Sequence, residues 1–309
     1  MAMQNFSGEP LKDYPEIVEL YAQGVAFLRF HYGVRNSSDF LSTPASPDPD
    51  MIRVTSIGEF HQGSSFSSPS ANYISDAQEM ANAGLTTHQH AINSGSDIEA
   101  YIDLWEDADA QFGINGLRWR LDHVFDITLS QMNRLNIIGS NIAIQGIGSA
   151  TGNASVQDLR EVYDFSVSNG LNLCAGTDGG NFYIINPWVA MHFFITGESE
   201  TGSPLMPASN TVNLYEALHM YTIGSAYDTF DEGKIGSLEV GKFADLAVLA
   251  VDPFEIESLG NLDELRDVTS VLAIVDGDIV YSNGLINCNG SSEQWYRRSA
   301  GDSCVITDN

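Results

Sequence analysis

The feature that most constrains the fold is a repeated alternation of capped helices and short apolar strands between residues 75 and 178. Helix starts with the Ser/Thr-x-x-Gln/Glu capping box occur at Ser75, Ser96 and Thr128, and a further helix is predicted to begin at Ser155. Each predicted helix is preceded or followed by a predicted strand, and these strands cover residues 85–90, 117–121, 141–145 and 171–176. Strands that alternate with helices in this way predict a parallel α/β fold.

Two regions lie outside this alternation. Upstream, residues 25–32 and 51–57 are predicted to be strands, which makes six strands in all, and residues 1–24 are interpreted as a lead-in with one short helix. Downstream of residue 227 the pattern changes to short alternating strands, with Asp276-Gly277 as a hairpin turn. The sequence therefore predicts a parallel α/β region followed by a small β appendage.

Four polar residues occupy equivalent positions, each just after an apolar strand: Glu59, His90, His123 and Asp178. Their separations of 31, 33 and 55 residues correspond to one, one and two β/α units of about 30 residues each. Because the carboxyl ends of parallel strands converge, two imidazoles and two carboxylates there would form a site suited to Zn²⁺, Fe²⁺ or Mn²⁺. Asp178 could instead cap its glycine-flanked turn, and His123 could be a surface histidine.

The first two positions also have alternatives. Strand alternation places His88 and His90 on one face, so either could be a buried core histidine, and His90 is favoured over His88 as the ligand. Glu59 could cap a turn, and its nearest competitor as a ligand is His61.

Composition argues against two classes of partner. Thirteen Lys and Arg against 41 Asp and Glu give a net charge of −28, which disfavours nucleic acid and anionic membrane surfaces. No window approaches the roughly 18 consecutive apolar residues of a membrane span, and residues 1–6 lack the basic and apolar regions of a signal peptide. The chain is expected to be soluble.

Cysteines and glycosylation sequons leave the compartment open between cytoplasmic and exported. Cys174 lies in an apolar strand and is expected to be a core thiol, whereas Cys288 and Cys304 bracket a polar tail and could form a disulfide. The Asn-x-Ser sequons at Asn36, Asn153 and Asn289 point in the same direction as that disulfide, toward export.

Several short motifs lie at the candidate positions and near the C-terminus. They are His90-Ala91-Ile92-Asn93, Arg120-Leu121-Asp122-His123, Gly176-Thr177-Asp178, residues 221–227 and the run 232–249. Together these motifs resemble the amidohydrolase superfamily, in the family 3-like branch that includes N-substituted formamide deformylases. The resemblance extends from about residue 20 to residue 285.

The resemblance implies a metal-dependent hydrolase with a TIM (β/α)8-type barrel, in which His90 and His123 bind metal. Asp178 would also bind metal and would act as general base on the attacking water. Glu59 lies in the region where many members carry a bridging carbamylated Lys, and it would bridge as a carboxylate. The implied substrate is a small molecule with an amide-type, non-peptide carbon–nitrogen bond. The implied cofactor is a divalent metal, zinc first, with iron or manganese as alternatives.

The chain departs from the family pattern on its N-terminal side. The family's His-x-His pair and the β segment before it are not found ahead of Val25. We therefore expect an incomplete barrel over residues 1–231, roughly strands 3–8, a small β-sandwich segment over 232–285 and a Ser/Asn/Gly-rich tail over 286–309. Open strand edges also predict homo-oligomerisation.

Two alternatives to an enzyme that is active in its full-length form remain. One is a non-catalytic barrel relative that binds a small molecule or a partner at the same carboxyl end of the barrel. The other is a sheet protein whose Asp and His residues serve folding only.

Overall fold

The computed structural model describes residues 2–5, 14–58, 64–65, 68–85, 87–91, 95–124, 126–146, 158–179, 183–284, 286–288 and 304–306 of the chain.

Seven strands form one parallel sheet, and they follow one another across it in sequence order. They are β1 (Ala2–Asn5), β2 (Arg29–Val34), β3 (Ile52–Ile57), β4 (Thr87–Ala91), β5 (Arg120–Asp122), β6 (Asn141–Gln145) and β7 (Leu173–Gly176). The parallel α/β prediction is confirmed, but the count of six strands is wrong, because the lead-in contributes β1 beside β2. Among the described strands no ladder joins β7 to β1, so these strands do not form a closed barrel.

Helices connect the strands and cover the sheet. They are α1 (Tyr14–Ala22), α2 (Ser37–Leu41), α3 (Tyr73–Asn82), α4 (Gly95–Phe112), α5 (Leu129–Ile137), α6 (Leu159–Asn169) and α7 (Pro187–Thr196). The capping box at Thr128 is confirmed. The predicted box at Ser75 is wrong, because α3 begins two residues earlier and the Ser75 hydroxyl donates to the carbonyl of Asn72. The predicted start at Ser155 lies outside the described residues, and α6 is capped by Asp158.

The main core lies between the sheet and helices α3 to α7. Leu121, Ile142 and Ile144 belong to this core together with Trp105 and Trp119. Residues that alternate with them on β5 and β6, namely Arg120, Asp122 and Asn141, are buried polar groups that contact one another through Asp228. One face of the sheet is therefore apolar and packs against helices, whereas the other carries polar side chains.

Helix α8 (Leu214–His219) continues through a π-helical turn, Met220–Gly224, into α9 (Ser225–Asp228). A Cβ atom at Gly224 would collide with the carbonyl oxygen of Leu173, so glycine allows the π turn to approach β7 closely. The Ser225 hydroxyl donates to the carbonyl of Ala175 at 3.2 Å, which also ties this segment to β7.

Beyond α9 the chain forms a three-stranded antiparallel sheet of β8 (Leu246–Leu249), β9 (Ser270–Val275) and β10 (Asp278–Ser282), with α10 (Pro253–Leu259) between β8 and β9. The predicted hairpin turn is confirmed: Asp276 and Gly277 have φ of 53° and 85°, as a two-residue turn of this kind requires. The predicted division of the chain into domains stays a prediction.

A short antiparallel pair, β11 (Ile286–Cys288) and β12 (Cys304–Ile306), follows. Its backbone register places Cys288 opposite Cys304, and their disulfide remains a prediction. Cys174 is confirmed as a buried free thiol. In the part of the chain that the structure describes, no helix has the length and apolar character needed to cross a membrane.

Four arginines near the amino ends of β2, β3 and β5 pair with carboxylates of residues 228–245. We call this the amino-end cluster, and its pairs are Arg29 with Asp245, Arg53 with Asp231, Arg118 with Glu232 and Arg120 with Asp228. The pairs of Arg29 and Arg118 are bidentate, with N···O distances between 2.6 and 3.0 Å. The cluster thus joins the sheet to the segment that precedes β8.

Candidate functional site

Two of the four predicted ligands come together at the carboxyl end of the sheet. His123 directly follows β5, and Asp178 lies two residues after β7. The Nε2 atom of His123 is 4.0 Å from Oδ2 of Asp178, across the end of the intervening strand β6. Their side chains are 14% and 27% exposed, so both are partly accessible to solvent.

Both residues have left-handed backbone conformations, with φ of 61° at His123 and 54° at Asp178. Such conformations are uncommon for residues other than glycine and cost on the order of 1–3 kcal/mol each. The chain turns sharply at the ends of β5 and β7, so the side chains of His123 and Asp178 do not follow the alternation between the two faces of the sheet that the strand residues show.

The turn that carries Asp178 depends on its small neighbours. The N–H of Gly179 donates to Oγ1 of Thr177 at 3.1 Å. A Cβ atom at Gly179 would lie 2.8 Å from the Cα of Ile185, so a larger residue would push this close approach apart. The sequence Gly-Thr-Asp-Gly therefore fixes the turn from which the Asp178 carboxylate projects.

A buried ionic network lies behind His123. Arg120 donates through Nε to Oδ1 of Asp122 at 2.7 Å and also pairs with Asp228. The guanidinium of Arg120 thus forms ion pairs with two buried carboxylates. Burial raises the pKa of Asp122 to about 6, against the opposing effect of Arg120. This network anchors the residue that immediately precedes the His123 turn.

Sequence reasoning missed one residue of this site, Gln145, the last residue of β6. Its side chain is buried, and its Oε1 accepts a hydrogen bond from the backbone N–H of His123 at 3.0 Å. The available signal was a polar residue at the end of an apolar strand, one position earlier than the place just after a strand that singled out His123.

The other two predicted ligands are not tested by the geometry. Glu59 lies outside the described residues, and His90 is the fourth residue of β4, beside Leu121 in the backbone register. His88 is buried, and its ring centroid lies 4.5 Å from that of Trp119, as expected of a core histidine. Within the described residues no group of three or more His, Cys, Asp or Glu side chains is arranged to hold a metal ion.

Comparison with known proteins gives a family match over most of the chain. The model of the family described as "Amidohydrolase family" matches residues 11–281. An N-substituted formamide deformylase from Arthrobacter pascens is 26% identical over 252 residues, which are 77% of this chain and 44% of that protein. A 5-methylthioadenosine/S-adenosylhomocysteine deaminase from Thermoanaerobacter pseudethanolicus is 25% identical over 69% of this chain and 50% of that protein. The chain thus spans about half the length of these relatives.

Solved structures share the fold. A variant of atrazine chlorohydrolase from Arthrobacter aurescens, complexed with zinc and atraton, aligns with a TM-score of 0.62 and 18% identity over 91% of this chain and 68% of its own. Guanine deaminase from Bradyrhizobium japonicum aligns with a TM-score of 0.62 and 14% identity over 91% of this chain and 71% of its own. At these identities the likeness concerns the fold alone.

Proposed function

This chain belongs to the amidohydrolase family, and on that premise we propose that it carries the metal site of a hydrolase that cleaves amide-type, non-peptide carbon–nitrogen bonds in small molecules. The observation that carries the proposal is the approach of His123 and Asp178 to 4.0 Å at the carboxyl end of the sheet. In parallel α/β enzymes of this architecture, that end of the sheet is where catalytic residues gather.

The two side chains fit a divalent metal ion. An imidazole nitrogen and a carboxylate oxygen are ordinary zinc ligands, with bond lengths of about 2.0–2.2 Å, so two of them on a tetrahedral ion lie about 3.4 Å apart. The observed 4.0 Å is slightly wider than this and requires only a small side-chain adjustment. His123 and Asp178 would hold the ion together with His90 and Glu59, and zinc is the first choice over iron or manganese.

A metal ion at this position would supply an acidified water and polarise the carbonyl group of the substrate. The chain's own contribution is proton transfer at Asp178: its carboxylate accepts a proton from the attacking water and returns it to the leaving nitrogen. The water oxygen bonds to the carbonyl carbon, the carbon–nitrogen bond breaks, and an acid and an amine are released.

The substrate class follows from the relatives. One relative is named an N-substituted formamide deformylase, so N-substituted formamides are the first compounds to test, followed by other N-acyl amines. Homo-oligomerisation stays a prediction.

The proposal is tested by zinc affinity and by amide hydrolysis in the same preparations. His123→Ala and Asp178→Asn should each weaken zinc binding by more than about 100-fold, since losing a ligand exceeds the loss caused by a second-shell change. Both should abolish amine release from N-substituted formamides. Zinc is measured by elemental analysis after equilibrium dialysis.

Two matched controls remove the same side chains elsewhere. His219→Ala on α8 and Asp107→Asn on α4 lie outside the site and should keep the zinc affinity of the parent chain. Equal zinc binding in the site variants and the controls would contradict the proposal. Zinc binding that depends on His123 and Asp178, without cleavage of any amide, would instead favour the non-catalytic relative.

A further inference from the structure

The side chain of Gln145 occupies a particular position in this site. It ends β6, the strand between those that deliver His123 and Asp178, and it is only 5% exposed. The next residue continues toward Asp178, because the N–H of Gly146 donates to the carbonyl of Gly176 at 3.2 Å. The carboxamide of Gln145 is therefore enclosed at the carboxyl end of the sheet, between the two candidate ligands along the strand order.

The orientation of this carboxamide is determined by chemistry. Its partner, the backbone N–H of His123, is a donor, so the amide atom 3.0 Å away must be the acceptor Oε1. The amino group is then the free end, and it lies about 2.3 Å from that oxygen by the covalent geometry of an amide. A hydrogen bond from the His123 backbone thus fixes where the Gln145 donors are.

Those donors are available. In the part of the chain that the structure describes, Nε2 of Gln145 donates no hydrogen bond. An amide donor left without a partner in a buried residue costs about 1–3 kcal/mol, a cost that a ligand oxygen would remove.

We propose that Nε2 of Gln145 donates a hydrogen bond to the carbonyl oxygen of the amide substrate, and that this bond strengthens as negative charge develops on that oxygen during attack by water. The inference rests on the proposed function and assigns to it a residue that binds the substrate. Loss of one such donor typically lowers kcat by about 10²–10³-fold.

The test separates donation from positioning. Gln145→Glu keeps an oxygen to accept from the His123 N–H and replaces the amino group with a second acceptor, whereas Gln145→Leu removes both functions. In the zinc-loaded chain with N-butylformamide, Gln145→Glu should lower kcat by at least about 100-fold with KM, zinc affinity and melting temperature near those of the parent. Gln145→Leu should also weaken zinc binding.

Two results would overturn the inference while leaving the proposed function intact. One is a kcat for Gln145→Glu within about threefold of the parent. The other is a loss of activity in Gln145→Glu that merely tracks a lower melting temperature or lower zinc content, as a structural role predicts.

A binding measurement decides the case in which the parent cleaves no amide. The side-chain NH₂ resonances of Gln145, identified by their loss in Gln145→Glu, should shift when N-butylformamide is added and not when butylamine, which lacks the carbonyl, is added. A shift without hydrolysis would contradict the proposed reaction and support the Gln145 contact. Absence of a shift in a chain that does not cleave amides would overturn both.

Discussion

The two ends of the parallel sheet use their charged groups in opposite ways. At the amino end, Arg29 and Arg118 meet Asp245 and Glu232 in bidentate pairs at 2.6 to 3.0 Å. At the carboxyl end, the imidazole and carboxylate of the candidate site stand 4.0 Å apart, on backbone with positive φ. The amino end is built from direct ion pairs, whereas the two candidate ligands at the carboxyl end are held slightly apart.

This difference predicts that residues at the amino end of the sheet mainly affect folding stability, whereas the candidate ligands at the carboxyl end mainly affect metal binding. Close, buried ion pairs leave large penalties when one partner is removed, so the amino end is expected to dominate the response of folding to mutation. Residues in strained conformations that hold a separation suited to a ligand contribute little to folding and much to function. Substitutions at the two ends should therefore give opposite patterns of stability and zinc binding.

The largest effect is expected for Arg120→Met. It would leave Asp122 and Asp228 buried side by side without their shared cation. We expect the free energy of unfolding to fall by about 3–5 kcal/mol, measured by urea denaturation. The control Arg35→Met, at an exposed position, should change it by less than about 0.5 kcal/mol. An Arg120→Met chain as stable as the control would remove the distinction between the two ends.

The second effect is a pH dependence beside the amino-end cluster. His31 is buried next to Asp231, with Arg53 and Arg29 nearby, and burial lowers its pKa from 6.5 to about 4. As the pH falls, His31 is protonated in the unfolded chain at a higher pH than in the folded chain. Its titration therefore lowers the free energy of unfolding between about pH 6.5 and pH 4, by on the order of 3 kcal/mol in all.

His31→Gln removes this titration. The free energy of unfolding of the parent should therefore fall more steeply than that of His31→Gln as the pH is lowered from 7 to 4, and the two chains are compared by urea denaturation at each pH. Parallel curves for the two chains would show that His31 titrates alike in the folded and unfolded chain.

The smallest effect on folding is expected for Asp178→Gly. Glycine adopts a φ of 54° without strain, but it also gains freedom in the unfolded chain, so the free energy of unfolding should change by no more than about 1 kcal/mol. Zinc affinity should nevertheless be lost. Asp276→Gly, at a φ of 53° in the β9–β10 hairpin, is the matched control and should retain zinc affinity. A strongly destabilised Asp178→Gly chain would indicate that Asp178 holds the fold together.

The sequence predicted what local patterns determine. Capping signals and strand patterns are short-range, so the alternation of helices and strands emerged without the structure. His123 and Asp178 were predicted to lie together because parallel strands place equivalent positions together, and their side chains are 4.0 Å apart in the structure. Strand β1 (Ala2–Asn5) was missed because it has only four residues, some of them polar, and these show no strand pattern of their own.

What could not be predicted depends on partners far away in the chain. The arginines of the amino-end cluster lie between 108 and 216 residues from their carboxylates, and nothing in the local sequence indicates the pairing. Gln145 was missed for a related reason. Its role is defined by the backbone N–H of His123, which lies 22 residues away in the chain.

The segment that supplies the carboxylates of the amino-end cluster also bears on biosynthesis. Asp228, Asp231, Glu232 and Asp245 are translated after every strand of the parallel sheet. Arg29 of β2 and Arg53 of β3 lie 216 and 178 residues before the carboxylates that pair with them. During synthesis on the ribosome, more than 170 residues are therefore added after each arginine before its carboxylate is made. Such distant contacts slow folding and expose nascent strands to aggregation. The sheet is thus expected to reach its final stability only when residues 228–245 have left the exit tunnel.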